Sequence, residues 1–171
     1  MRERLPLDRL YDEHANALFG FLLNLTRNEA DSRDLIQELF LKIARKPDLL
    51  DHAENPKAFL LRSAYHLFVD LIRHRQSRDK MEEAVALETP LFFENPKTGN
   101  DLEWSAGVSR ALGELPEDQR AVLHLKVWEG CTFAEISLIL SIPGNTAASR
   151  YRYALDKMET LLRPVYKELY E

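Results

Sequence analysis

Apolar residues recur every three or four positions along almost the whole chain, and that rhythm is interrupted at length only over residues 79–101. Such spacing lines one face of an α-helix. The apolar-polar alternation that a half-buried strand needs is almost absent. The pattern therefore predicts an all-α protein of two small helical domains, residues 1–78 and 102–171, each burying a modest core. Leu7, Leu10, Tyr11, Leu18, Phe21, Leu22 and Leu25 form a first stripe. Asn28 with Glu29 and Asp31 opens a second helix, whose apolar face is Leu35, Ile36, Leu39, Phe40 and Ile43 and which Pro47 ends. After a loop over Lys46–Asn55, Pro56 starts a third helix that buries Phe59, Leu60, Ala64, Leu67, Phe68, Leu71 and Ile72 and runs to about Arg78.

The interruption itself is acidic. Asp79, Glu82, Glu83, Glu88, Glu94 and Asp101 face only Lys80 and Lys97, and Pro90, Pro96, Gly99 and Asn100 break any period. It reads as an acidic linker. Helices are expected beyond it over Leu102–Gly113, Pro116–Trp128, Thr132–Leu140 and from about Pro143 to Arg163.

The segment after Trp128 carries the sharpest local signal. Gly130 suits the left-handed residue that closes a helix, and Thr132 with Glu135 three positions later forms a capping box. Ser141-Ile142-Pro143 then makes a tight turn into the long last helix. A short helix, a tight turn and a longer helix make a helix-turn-helix, which reads DNA with the N-terminal residues of its second helix. Those residues here are Asn145, Thr146, Ser149, Arg150, Arg152 and Tyr153. The chain carries a formal charge of −5, yet residues 143–163 hold Arg150, Arg152, Lys157 and Arg163 against Asp156 and Glu159. Phosphate contact depends on such local charge rather than on the sum.

Residues 55–78 are basic in the same way, with Lys57, Arg62, Arg73, Arg75 and Arg78 against Asp70. Tyr65, Phe59 and Phe68 are interleaved with them; the two phenylalanines fit core spacing, whereas Tyr65 and His66 are the better candidates for exposure. Cations for phosphate and rings for stacking are what single-stranded nucleic acid needs. On the second helix Asp34, Gln37, Glu38 and Lys42 fall on or near one face.

These segments, DSRDLIQELFLKI, NPKAFLLRSAYHLFVDLIRHR, LGELPEDQRAVLHLKVWEGCTFAEISLILSIP and NTAASRYRYALDKM, resemble a bacterial sigma-70 family factor of the small extracytoplasmic-function class. The likeness runs from about Leu10 to Leu162. It implies a region 2 domain, a linker and a region 4 domain, and a sigma factor that binds core RNA polymerase and directs promoter-specific initiation. It implies that Asp34, Leu35, Gln37, Glu38 and Phe40 meet the β′ clamp helices. Residues 46–55 with Lys57, Arg62, Tyr65, His66, Arg73 and Arg75 would open and read the minus-10 element. The helix bearing Asn145, Thr146, Ser149, Arg150, Arg152 and Tyr153 would read the minus-35 element, and its domain would dock on the β flap. The linker would enter the polymerase cleft. An anti-sigma factor is the further partner implied.

The chain departs from the family pattern at several of these positions. Tyr65 and His66 stand where an Arg-Asn pair is usual, Ser141 and Asn145 where Gly is, Ala148 where Lys is, and Tyr153 and Leu155 where Arg is frequent. Ser141 is expected to be strained if its turn needs positive φ.

Two other readings fit the pattern: a sigma-like decoy that sequesters an anti-sigma factor, and a one-component helix-turn-helix regulator. An enzyme is not expected. There is no phosphate-binding glycine loop, no HExxH and no Ser-His-Asp pattern, and His14, His52, His66, His74 and His124 show no ligand spacing, so neither metal nor cofactor is implied. The single cysteine, Cys131, fits a reducing cytoplasm. No secretory h-region or membrane-length apolar run is visible. A soluble monomer is expected when the chain is free.

Overall fold

The computed structural model describes residues 6–77 and 99–171; the acidic stretch read as a linker lies outside them except for its last three residues. Among the described residues the elements are α1 (Leu7–Thr26), α2 (Glu29–Arg45), a 3-10 turn (Pro47–Leu50), α3 (Pro56–Ser77), α4 (Gly99–Glu114), α5 (Glu117–Val127), α6 (Phe133–Leu140) and α7 (Gly144–Tyr170), and there is no strand. They form two compact units.

In the first unit α1 packs against both α2 and α3, which also pack on each other. Leu10, Leu18, Phe21, Leu22, Leu39, Leu60 and Leu61 are almost wholly buried between them. The stripe read on α1 is largely in place, but its N-terminal members Leu7 and Tyr11 are exposed. On α3, Phe59, Leu67, Leu71 and Ile72 are only half-buried, because Leu61 rather than Phe59 completes the inward face with Leu60, Ala64 and Phe68.

The α1–α2 corner turns without glycine. Arg27 adopts the left-handed conformation, φ 57°, and its N–H donates to Leu23 O at 2.9 Å. A hydroxyl network holds the turn: Asn28 N–H donates to Thr26 Oγ1 at 3.1 Å, and Ser32 Oγ donates to Asn28 O at 2.8 Å. Asn28 then caps α2, its Oδ1 accepting from Asp31 N–H at 3.0 Å. Asn55 does the same for α3, accepting from Ala58 N–H at 3.2 Å. The loop between them is hydrogen-bonded rather than open, through Leu49 N–H to Lys46 O, Asp51 N–H to Asp48 O and Ala53 N–H to Leu50 O, each 3.1 Å.

In the second unit α7 packs along both α4 and α5. Two predicted ends of helices differ from the sequence reading. α4 starts at Gly99, so Gly99, Asn100 and Asp101 belong to a helix and not to the linker. Asn100 Nδ2 donates to Leu169 O at 3.2 Å, a tie to a residue far along the chain that offsets the poor local propensity. α7 does not stop at Arg163 but continues through Pro164 to Tyr170. Its last turns are held by Trp104, whose ring centroid lies 6.2 Å from that of Tyr166 and 6.4 Å from that of Tyr170. Gly107 brings the two helices close: a Cβ there would lie 3.0 Å from Val165 Cγ1.

α4 ends on cations. Arg120 is buried, 5% exposed, and its guanidinium donates to Leu112 O at 3.1 Å and Leu115 O at 3.3 Å. Lys157 Nζ donates to Glu114 O at 2.8 Å. The unsatisfied carbonyls of a helix C-terminus favour such charge.

Candidate nucleic-acid and polymerase interface

The helix-turn-helix forms as its sequence dictates. Thr132 N–H donates to Glu135 Oε1 and Glu135 N–H to Thr132 Oγ1, both at 3.1 Å, which closes the capping box. Gly130 is left-handed, φ 64°, and Ser141 is as well, φ 56°. The Ser137 hydroxyl bonds Ile142 O, while Ile142 N–H donates to Ser137 O at 3.1 Å, so the turn is closed from both sides. Phe133 meets Tyr151 edge-on at 5.7 Å, which fixes α6 on α7.

Ala147, Ala154 and Met158 are the buried residues of α7. At about 100° per residue, Asn145, Ser149, Arg152 and Asp156 lie on the side opposite them. Asn145, Arg152 and Asp156 are exposed and Ser149 is half-buried. Tyr153, 58% exposed, flanks this face, and the Arg152 guanidinium lies 6.0 Å from the centre of its ring. Thr146 is half-buried at the edge. Arg150 points elsewhere: its side chain is 29% exposed and its Nε lies 3.3 Å from Asp118 Oδ2, in the first turn of α5. Sequence reasoning missed Asp118, since nothing local links it to a residue on another helix.

On α3, Arg62, His66 and Arg73 are exposed and share one stripe at spacings of four and seven. Tyr65 is half-buried beside Phe68, ring centroids 6.4 Å apart. Lys57 and Arg75 fall on another side. Arg75 donates from both terminal nitrogens to the two oxygens of Asp31, each at 2.8 Å, and so ties the end of α3 to the start of α2. Arg75, expected in the nucleic-acid face, is thus turned by helix phase toward α2 and away from the Arg62–His66–Arg73 stripe.

On α2 the exposed residues Asp34, Gln37 and Glu38 share a face. Leu35 and Phe40 do not belong to it. They are 4% and 8% exposed, and Phe40 meets Tyr11 edge-on at 4.9 Å, so both are core residues and not contacts for a partner. The apolar member of the exposed face is Leu41, 56% exposed. The sequence carried the signal, because 34, 37, 38 and 41 follow the spacing of three, four and seven that defines one helix face.

Comparison with known proteins places these two units. The profile of sigma-70 region 2 matches residues 10–78, and that of sigma-70 region 4 matches residues 106–158, in that order along the chain. The chain belongs to the sigma-70 family. Among its relatives is the ECF RNA polymerase sigma factor SigL of Mycobacterium tuberculosis, 29% identical over 90% of this chain and 87% of that protein. Another is the ECF RNA polymerase sigma factor SigE of Mycolicibacterium smegmatis, 30% identical over 91% of this chain and 61% of that protein. The fold is shared with the sigma factor RpoE of Bartonella quintana, solved in complex with the anti-sigma factor NepR: TM-score 0.75, 23% identity, covering 91% of this chain and 96% of that one. Among the described residues no helix is long and apolar enough to cross a membrane, and no cluster of His, Cys, Asp or Glu could hold a metal ion.

Proposed function

We propose that this sigma factor, which directs transcription initiation, grips core RNA polymerase through the exposed face of α2. Asp34, Gln37, Glu38 and Leu41 meet the β′ clamp helices there. A charged rim around one apolar side chain steers association and adds little to fold stability. The region 2 unit, residues 1–78, opens and reads the minus-10 element through the turn over 46–55 and the Arg62–His66–Arg73 stripe, with Tyr65 at its edge. The region 4 unit, residues 102–171, docks on the β flap and reads the minus-35 element through the first turns of α7. The acidic stretch between the units runs through the polymerase cleft. An anti-sigma protein is the further partner proposed, on the strength of the shared fold with RpoE.

The observation that carries this reading is the charge layout on the family's two regions. In a chain of net charge −5, the exposed Arg62 and Arg73 share one stripe of α3 and the exposed Arg152 stands on the outer face of α7, while Asp34, Glu38 and Leu41 share the outer face of α2. The test is run-off transcription with core polymerase on genomic DNA, with start sites mapped. Discrete, sigma-dependent start sites preceded by two shared sequence elements are expected. A protein that gives no transcripts with core yet binds an anti-sigma protein would instead be a decoy, and one that binds duplex DNA without core would be a one-component regulator. Asp34→Ala with Glu38→Ala is expected to weaken core binding about tenfold, within the range of interface charges, with an unchanged melting temperature. Unaltered affinity for core would remove α2 from the interface.

A further inference from the structure

The two arginines near the start of α7 are held in different ways, and the difference assigns them different tasks. This inference rests on the proposed minus-35 reading and sharpens it. Arg152 sits on the outer face, about 140° around the helix from Ala147 at 100° per residue, and Arg150 only about 60° away. A recognition helix in a major groove turns its outer face to the base edges, and its flanks meet the phosphate walls. The direction of each side chain therefore separates a reader of bases from a contact to backbone.

Their partners agree with that division. The Arg152 guanidinium rests by the ring of Tyr153, 6.0 Å from its centre. Cation–π contact of this kind orients the planar fork without engaging its donors in a charge pair. The fork stays available for the bidentate bond that arginine makes to guanine. Arg150, by contrast, is paired with Asp118 at 3.3 Å, and Asp118 is itself 48% exposed. A pair open to solvent on its carboxylate side is weak and exchanges readily. A phosphate approaching Arg150 must either displace Asp118 or tolerate its carboxylate.

We propose that Arg152, steadied by Tyr153, is the base-reading arginine of α7. Arg150 is a phosphate contact, and Asp118 weakens its hold on DNA of any sequence. By competing for Arg150, Asp118 subtracts affinity that every duplex would otherwise share and leaves the difference between sequences to Arg152. Specificity is a difference between affinities, and a term that penalises all sequences leaves the reader of bases to decide.

The test uses holoenzyme reconstituted from core polymerase and full-length chain. Its probe is a double-stranded promoter library randomised over the upstream element, read by sequencing at two salt concentrations. Arg152→Ala and Arg152→Lys should both erase preference at one G·C pair, about five- to a hundredfold for a lost bidentate contact, since lysine cannot supply the fork. Arg150→Ala should weaken all sequences alike and lower the salt slope by about one unit, and Arg150→Lys should restore both. Asp118→Asn should raise affinity for all sequences and leave the sequence preference unchanged. The inference is overturned if Arg150→Ala alters base preference, if Arg152→Ala weakens all sequences equally, or if Asp118→Asn lowers affinity. If the unaltered holoenzyme selects no upstream element, the minus-35 reading itself fails, and that result is distinct from any exchange of roles between the arginines. Equal melting temperatures for the variants exclude loss of fold as the cause.

Discussion

The two units close their cores by different means. In the first, three helices of 20, 17 and 22 residues bury leucine and phenylalanine against one another. Among its described residues no charged side chain is in the fully buried set, and Arg75 meets Asp31 at the periphery. In the second, α5 has 11 residues and α6 has 8. Its buried set includes Arg120 and His124, whose Nε2 lies 3.4 Å from Glu129 Oε1. Short helices bring proportionally more unsatisfied ends into the interior, since each helix leaves up to four N–H and four C=O groups open whatever its length. The second unit meets that demand with the buried Arg120 and with Lys157, the first with length. What is peripheral in one unit is therefore structural in the other.

The sharpest way to break the comparison is to cut each core at its own support. Leu60→Ala removes a wholly buried side chain from the first unit and should cost roughly 2–5 kcal/mol, read by ellipticity during chemical denaturation. Both tryptophans, Trp104 and Trp128, lie in the second unit, so their emission reports on that unit. Arg120→Met keeps volume and apolar stem but leaves Leu112 O and Leu115 O without the guanidinium. A loss of roughly 1.5–3 kcal/mol is expected in the tryptophan-monitored transition, as for hydrogen bonds to a charged group. Were Arg120→Met neutral, the cation would be a passenger and the contrast between the units would fall.

Two smaller effects sharpen the contrast. Ser141 holds φ 56° at an exposed turn. A non-glycine residue there costs about 1–2 kcal/mol, and glycine returns part of that as unfolded-state entropy. Ser141→Gly should thus stabilise the helix-turn-helix by about 0.5–1 kcal/mol, and a lowered midpoint would show that the serine makes a stabilising contact. The Arg75–Asp31 pair is half exposed on the arginine side. Asp31→Asn is expected to cost only about 0.2–1 kcal/mol at low salt and less at high salt. A loss as large as that of Arg120→Met, undiminished by salt, would erase the distinction between peripheral and structural charge.

Much of this architecture was legible in the sequence where its cause is local. Asn28 and the Thr132–Glu135 box mark helix termini through bonds to residues three positions away, Pro47 and Pro56 through their fixed φ and missing N–H, and Gly130 through its positive φ, all causes that a sequence displays. The errors have non-local causes. Pro164 reads as a stop, yet α7 passes through it because Trp104, Gly107 and Asn100 of α4 hold the turns beyond. Gly99 and Asn100 read as breakers for the same reason in reverse. On the candidate interface, Asp34, Gln37 and Glu38 share a face by helix phase, whereas Leu35 and Phe40, which the family resemblance implies, also belong to the apolar face and lie in the core. A step of one residue turns about 100° around a helix, so adjacency along the chain is a poor guide to a shared surface. Arg75 and Arg150 looked like free cations, and their carboxylates, Asp31 and Asp118, come from other helices.

The continuity of α7 has a mechanical consequence. Its 27 residues make a rod about 40 Å long at 1.5 Å per residue. Asn145 and Arg152 stand toward one end, and Tyr166 and Tyr170 beside Trp104 toward the other. Such a rod acts as a lever arm: a tilt of about 5° imposed at the aromatic end sweeps the far tip through about 3.5 Å, on the same length. That sweep exceeds the length of a hydrogen bond, so the aromatic grip on the last turns sets the aiming accuracy of side chains several turns away.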